Sequence, residues 1–155
     1  MKQIYLSELY CQTVSVHAPT YYTPAQTAAW ASTTADVDRF RQFILGVTTF
    51  VAINDAGILG FAGIGRNGHV ASAYVRDDCI HQGVGSIPMQ AVLNYAQNHH
   101  LQRLYGEARE FSLGLFTKFG FHLYATEVVD CQGVPFKRYL VERNNHSQSF
   151  YQYTV

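Results

Sequence analysis

HVASAYVRDDCIHQGVG, residues 69–85, is the stretch whose reading decides the fold. Residues 69–75 read as an apolar strand, residues 76–81 as a polar bend, and Gln82-Gly83-Val84-Gly85-Ser86 as the opening of a helix. A strand that ends in a glycine-rich turn on a helix N-terminus is suited to holding phosphate. Free backbone N–H groups point outward there, and the helix dipole favours negative charge. Gly83 and Gly85 let backbone approach a pyrophosphate with no Cβ in the way. Two rival readings exist. One is a plain strand-to-helix turn; the other is a dinucleotide-binding turn, which wants a further glycine where this chain has Pro88.

Upstream, Asn67-Gly68 lies between two strand-like runs, 58–66 and 69–75, and is a two-residue hairpin signal. With a strand at 49–53 and a turn at 54–57, this predicts a three-strand antiparallel meander. Before it, residues 1–16 space Ile4, Leu6, Leu9, Tyr10 and Val14 as an amphipathic helix does. Thr23-Pro24 reads as an N-cap and first helical residue. Asp36 reads as the cap of a helix with Val37, Phe40, Phe43 and Ile44 on one face. Downstream, a helix to about residue 99 turns Ile87, Val92, Leu93 and Ala96 inward. A strand at 101–107 should then lie parallel to 69–75 through a right-handed crossover. A short helix over 111–118 stops at Gly120, and a hairpin, 122–131 with 134–141, turns at Gln132-Gly133.

The bulk properties set the class. A chain of 155 residues with 48% apolar content is a globular domain of one core rather than two. Charged residues are only 14%, while tyrosine numbers 11 and phenylalanine 10, so extra buried surface such as a homodimer interface is expected. Zero formal charge with scattered basic residues speaks against a nucleic-acid partner. No stretch approaches the roughly 20 apolar residues of a membrane span, and nothing resembles a signal peptide. Cys11, Cys79 and Cys131 make no CxxC pair, and the seven histidines make no metal-binding spacing. Reduced thiols, a cytoplasmic location and no metal follow as expectations.

The order meander, helix, parallel strand, helix, hairpin, taken with two landmarks, resembles the GNAT superfamily of acetyl-CoA-dependent N-acetyltransferases. The family's Arg/Gln-x-x-Gly-x-Gly/Ala motif, after a strand ending in a Tyr-Val-like pair, corresponds to Tyr74-Val75 followed by Ile80-His81-Gln82-Gly83-Val84-Gly85. Its aromatic pair before x-x-x-Gly-Phe corresponds to Leu115-Phe116 before Gly120-Phe121. Tyr22-x-x-x-Gln26-x-x-x-Trp30 is similar to a segment of one bacterial branch. The resemblance implies an α/β fold with an antiparallel meander and a central parallel strand pair. It implies a cofactor site at Tyr74, Val75, Ile80, His81, Gln82, Gly83, Val84, Gly85, Ser86 and Phe116, with the pantetheine pairing like an added strand on Tyr74 and Val75. It also implies an acceptor pocket walled by Tyr22 and Trp30, for which core packing is the alternative role.

Two positions depart from the family pattern. Ile80 stands where an Arg or Gln is usual, and Phe116 replaces the tyrosine that acts as general acid. A thiol with pKa about 8.5 leaves adequately without an acid, whereas an ammonium of pKa about 10.4 must lose a proton before attack. Glu107, at the end of the parallel strand, is the first candidate base, followed by Asp77 and Asp78. For each carboxylate, a solvated charge or an ion pair with Arg76 or Arg109 is the competing role. Tyr124 is the alternative acid.

The expected activity is acetyl transfer from acetyl-CoA to a primary amine, of a small molecule or a peptide. The alternatives are a CoA-binding regulatory module without turnover and transfer of a longer acyl group. The domain is expected over residues 1–143, with 144–155 as a tail. Family members begin with a strand that this chain does not display. Either the true start lies upstream, or another segment covers the exposed sheet edge. Ser147 to Val155 has the composition to do so as an added strand or interface segment.

Overall fold

The computed structural model describes residues 2–145, so residues 146–155 of the expected tail lie outside the described residues. Helix α1 (Lys2–His17) buries Leu6, Leu9, Tyr10 and Val14. Helix α2 (Pro24–Ala31) starts where the sequence says it should. The Thr23 hydroxyl accepts from the Gln26 amide at 3.1 Å, and the Gln26 side chain accepts from the Thr23 amide at 3.0 Å. Such a reciprocal cap contributes about 1 kcal/mol. Asp36 caps α3 (Val37–Leu45) through the Arg39 amide at 3.0 Å. Phe40 and Phe43 pack on Tyr10, but Val37 is 73% exposed, one turn short of that contact.

Strands β1 (Thr48–Asn54), β2 (Gly57–Ile64) and β3 (Val70–Val75) form the expected antiparallel meander in the order β1-β2-β3. Helices α1 to α3 cover one face around Phe61. Helix α4 (Ser86–Asn98) covers the other, burying Met89, Val92 and Ala96 beside Ala62 and Ile64. Ile87, expected inward, is 60% exposed. The helix begins at Ser86, and the stripe 89, 92, 96 at helical spacing leaves residue 87 off the buried face. Strand β4 (Arg103–Ala108), helix α5 (Leu113–Lys118) and the hairpin β5 (His122–Cys131) with β6 (Val134–Asn144) complete the chain. The second sheet has the order β4-β6-β5, antiparallel throughout.

The two sheets meet through β3 and β4, which run parallel but are stitched at one point. His69 bridges Tyr105, and the Tyr105 amide donates to the Gly68 carbonyl at 3.1 Å. Gly68 permits the approach: its φ is +88°, and a Cβ there would sit 2.1 Å from the Arg103 carbonyl oxygen. The expected strand pair is thus reduced to its first rung, and the sheets separate beyond it. Among the described residues β1 has no strand on its outer edge, and no helix is long and apolar enough to cross a membrane. The three cysteines are free thiols.

Candidate active site

The separation of β3 from β4 opens a cleft of about 610 Å³. One flank is strand β3, which runs on into the glycine loop beyond the cleft lining. Gly83 has φ +78° with open space around it, so backbone shape requires the glycine. Gly85 has an ordinary φ of −62°; a Cβ there would lie 3.0 Å from Val75 Cγ2 and 3.3 Å from Leu115 Cδ2. One glycine shapes the loop; the other lets helix α4 pack on the strand end. Among the described residues, none of the amides from His81 to Gly85 donates a hydrogen bond. Five unengaged donors at a helix N-terminus are the physical content of a phosphate cradle. The Gln82 side chain donates instead to the Asp78 carbonyl at 3.2 Å and braces the bend. Half-buried Ile80 offers no polar group. Lys118, which sequence reasoning missed, donates to Ser86 Oγ at 2.7 Å and sets a cation at the head of α4. Its place two residues before Gly120 was the available signal.

The edge of β3 that faces the cleft is fixed by its neighbours. The Arg76 amide donates to the Leu59 carbonyl at 2.7 Å, and the Tyr74 carbonyl oxygen lies only 2.8 Å from where a Gly60 Cβ would be. Both groups therefore face β2. In trans peptides the Val75 N–H and Val75 C=O then point the other way. The carbonyl is taken by the Thr13 hydroxyl at 2.7 Å. The Val75 N–H and, by alternation, the N–H and C=O of Ala73 are left on the edge away from β2, and Ala73 lines the cleft. Phe116 is buried at its wall against Phe121, with its ring near Gly106.

On the opposite flank Tyr105, Glu107 and Arg109 share one face of β4 and its extension, since Leu104, Gly106 and Ala108 are buried on the other. His69 Nε2 lies 2.6 Å from Glu107 Oε2, and the ring stacks on Tyr105 at 5.0 Å. This bond from His69 holds the Glu107 carboxyl below its ordinary range, against an opposing effect of partial burial. His69 Nδ1 has no partner among the described residues. Thirty-eight residues separate this pair in sequence, and sequence reasoning singled out only Glu107. The signal for His69 was its place at the head of the strand expected to run beside the one carrying Glu107.

The remaining candidates divide. Trp30 is 4% exposed and lines the cleft, stacked on Phe111 at 5.2 Å. Tyr22 packs edge-on against Trp30, accepts from the Glu110 amide at 3.2 Å and does not reach the cleft wall. Asp78 is ion-paired with Arg76 at 2.6 Å, which lowers its pKa in solvent. Asp77 accepts from His17 through its backbone carbonyl, at 2.9 Å, outside the cleft lining. Tyr124 is 46% exposed beneath the Arg103 guanidinium, also outside the lining. Tyr74 and Tyr10 do line the cleft, with rings 4.5 Å apart. Burial raises both phenol pKa values, Tyr74 well above the ordinary one, so neither ionises readily. No group of three or more His, Cys, Asp or Glu among the described residues is placed to hold a metal.

Comparison with known proteins gives a consistent pattern. A GCN5-related N-acetyltransferase structure from Rhodopseudomonas palustris ("Aminotransferase, Class-II") superposes with a TM-score of 0.88 at 20% identity, covering 92% of this chain and 89% of that one. The PaiA N-acetyltransferase from Thermoplasma acidophilum, in complex with coenzyme A, gives 0.71 at 14% identity over 92% of each chain. A GNAT family acetyltransferase from Elizabethkingia anophelis with acetyl-CoA bound gives 0.57 at 16%, covering 72% and 84%. At such identities these likenesses speak for the fold. Curated proteins give no match. The sequence model of the acetyltransferase (GNAT) domain matches residues 18–143, from the end of α1 to the last residues of β6. That span contains the glycine loop, the stitched strands and the cleft between them, and the chain belongs to the GNAT acetyltransferase family.

Proposed function

We propose that the protein transfers an acetyl group from acetyl-CoA to a primary amine by direct attack in a ternary complex. The observation that carries this reading is the cleft itself. A histidine–carboxylate pair and the edge of β3 line it, and unengaged amides and a lysine lie beyond the end of β3, at the head of α4. The residues present fit a CoA-type group. The amides of His81 to Gly85, with Lys118, suit its pyrophosphate, and Ala73 and Val75 suit an extended chain added to the sheet. Structural relatives with coenzyme A or acetyl-CoA bound support the same assignment.

Acetyl-CoA supplies an activated carbonyl and a thiolate leaving group. His69 takes the amine's proton at Nδ1 as the new N–C bond forms. Glu107, ionised at neutral pH, holds the ring by Nε2–H and stabilises the imidazolium. The pantetheine runs along the strand edge from Val75 to Ala73, which carries the thioester carbonyl toward His69 at the other end of β3. Phe116 donates no proton, and a thiolate needs none to leave near neutral pH. Asp77 and Tyr124 take no part in this scheme. The expected homodimer is carried over to the outer strand β5, where Leu123, Tyr124 and Val128 are exposed, and light scattering tests it.

The test is thiol release from acetyl-CoA across a panel of primary amines, with the acetylated product identified by mass. Stoichiometric thiol and N-acetyl amine support the proposal. Tight acetyl-CoA binding without release across the panel supports the rival, a CoA-binding module without turnover, which the buried Phe116 and the apolar Ile80 favour.

A further inference from the structure

Resting on the acetyl-transfer reading, we propose that the acceptor amine also bears a carboxylate, and that Arg109 binds it. Arg109 stands just beyond β4 on the face that carries Glu107, and it lines the cleft. Its guanidinium carbon lies 5.1 Å from the Trp30 ring centre and 5.2 Å from that of Phe136. Nη1 is fully buried without a hydrogen-bond partner, and among the described residues the guanidinium makes no hydrogen bond or ion pair; the Ser112 hydroxyl engages only the Arg109 backbone. The cleft's other charges are engaged or exposed. Arg138 pairs with Glu127, Asp130 accepts from the Gly133 amide, Asp36 caps α3, and Arg39 lies at the surface.

A guanidinium taken partly out of water and given two aromatic walls but no anion is unfavourable unless a ligand supplies the anion. The five donors of its planar fork match a carboxylate. Spacing identifies the molecule that would carry it. Glu107 and Arg109 are two residues apart on one face, about 7 Å along the chain. An anion beside an ammonium site and a cation one step further complement a small zwitterion, an amino acid. They do not complement a protein N-terminus, whose carboxylate is a whole chain away. Trp30 and Phe111 form the apolar wall beside the same position.

The experiment compares the twenty L-amino acids with their C-terminal amides as acceptors. Wild-type protein should favour the best free acid over its amide by at least about tenfold in kcat/KM, the scale of one charge-assisted hydrogen bond. Arg109→Gln should bring that ratio toward one, with Arg109→Lys between. A wild-type ratio near one overturns the proposal without reference to any variant, as does a ratio that Arg109→Gln leaves intact in a folded protein. If no amine is acetylated, the transfer reading fails by itself. Calorimetry of the twenty N-acetyl-L-amino acids against their amides, with CoA present, then decides this proposal. A carboxylate preference of tenfold that is lost in Arg109→Gln sustains it, and equal or absent binding overturns it.

Discussion

Replacing His69 by Gln removes the imidazole but keeps a polar side chain of similar reach. With Nδ1 as the proton acceptor, kcat should fall by about 10²–10⁴. Glu107→Gln is the graded companion. It turns a charge-assisted bond of 2.6 Å into a neutral one, a difference of about 1–1.5 kcal/mol. The two side chains are 32% and 28% exposed, so screening by solvent brings the lower end into play. That amounts to about fivefold in kcat, which leaves His69→Gln at least about tenfold worse than Glu107→Gln. The assay is thiol release at saturating acetyl-CoA from pH 6 to 9 (about the useful window for amine attack). His69→Gln should also recover part of its rate with an acceptor of low amine pKa, which a purely structural defect would not allow. Glu107→Gln as slow as His69→Gln would refute the assignment and make the carboxylate the base. Both variants within threefold of wild type would reduce the pair to a structural clasp.

Three further outcomes follow from the same geometry. Lys118→Met should weaken acetyl-CoA binding about fivefold at low salt and less at high salt, since an exposed cation is screened; calorimetry at two ionic strengths reads this. Phe116→Tyr should change kcat by less than about threefold at pH 7.5, because the thiolate leaves unassisted; a large gain would show that proton donation limits the rate. Glu107 also links stability to pH. Its folded pKa lies below the ordinary 4.5, so its contribution is fully present above that value and is lost as pH falls through the lowered one. The stability gap between wild type and Glu107→Gln should therefore shrink as the pH falls through and below the ordinary carboxylate range, measured by urea unfolding.

Local chemistry was legible in the sequence wherever one or two residues decide the structure. Thr23-Pro24, Asp36, Asn67-Gly68 and Gln132-Gly133 each start or turn an element where they stand. The glycine loop was legible too, although its two glycines act differently: Gly83 through a left-handed backbone, Gly85 through contact with Val75 and Leu115. Helix faces were read less well, since the stripe on α4 is phased by where the helix begins; Met89 is buried and Ile87 is not. The separation of β3 from β4 left no local mark. It depends on Gly68 meeting the Arg103 backbone, a contact across thirty-five residues. His69 and Arg109 were obscured for the same reason: the first acquires its partner, and the second its isolation, only once the strands are laid side by side. Tyr124 and Tyr22 were plausible by residue type; neither lines the cleft, and Tyr22 packs behind its wall residues Trp30 and Phe136.

The central claim is that the cleft between β3 and β4 brings a thioester and an amine together beside His69. A crystal structure of the protein with acetyl-CoA tests it most directly. The account predicts pyrophosphate oxygens on the amides of His81 to Gly85, pantetheine hydrogen bonds to Val75 and then Ala73, and the thioester carbonyl beyond Ala73, toward His69. Space for an attacking nitrogen, about 3–3.5 Å from the carbonyl carbon, should open toward His69 Nδ1. Acetyl-CoA bound with its thioester outside the cleft, or with the loop from His81 to Gly85 free of phosphate, would contradict it.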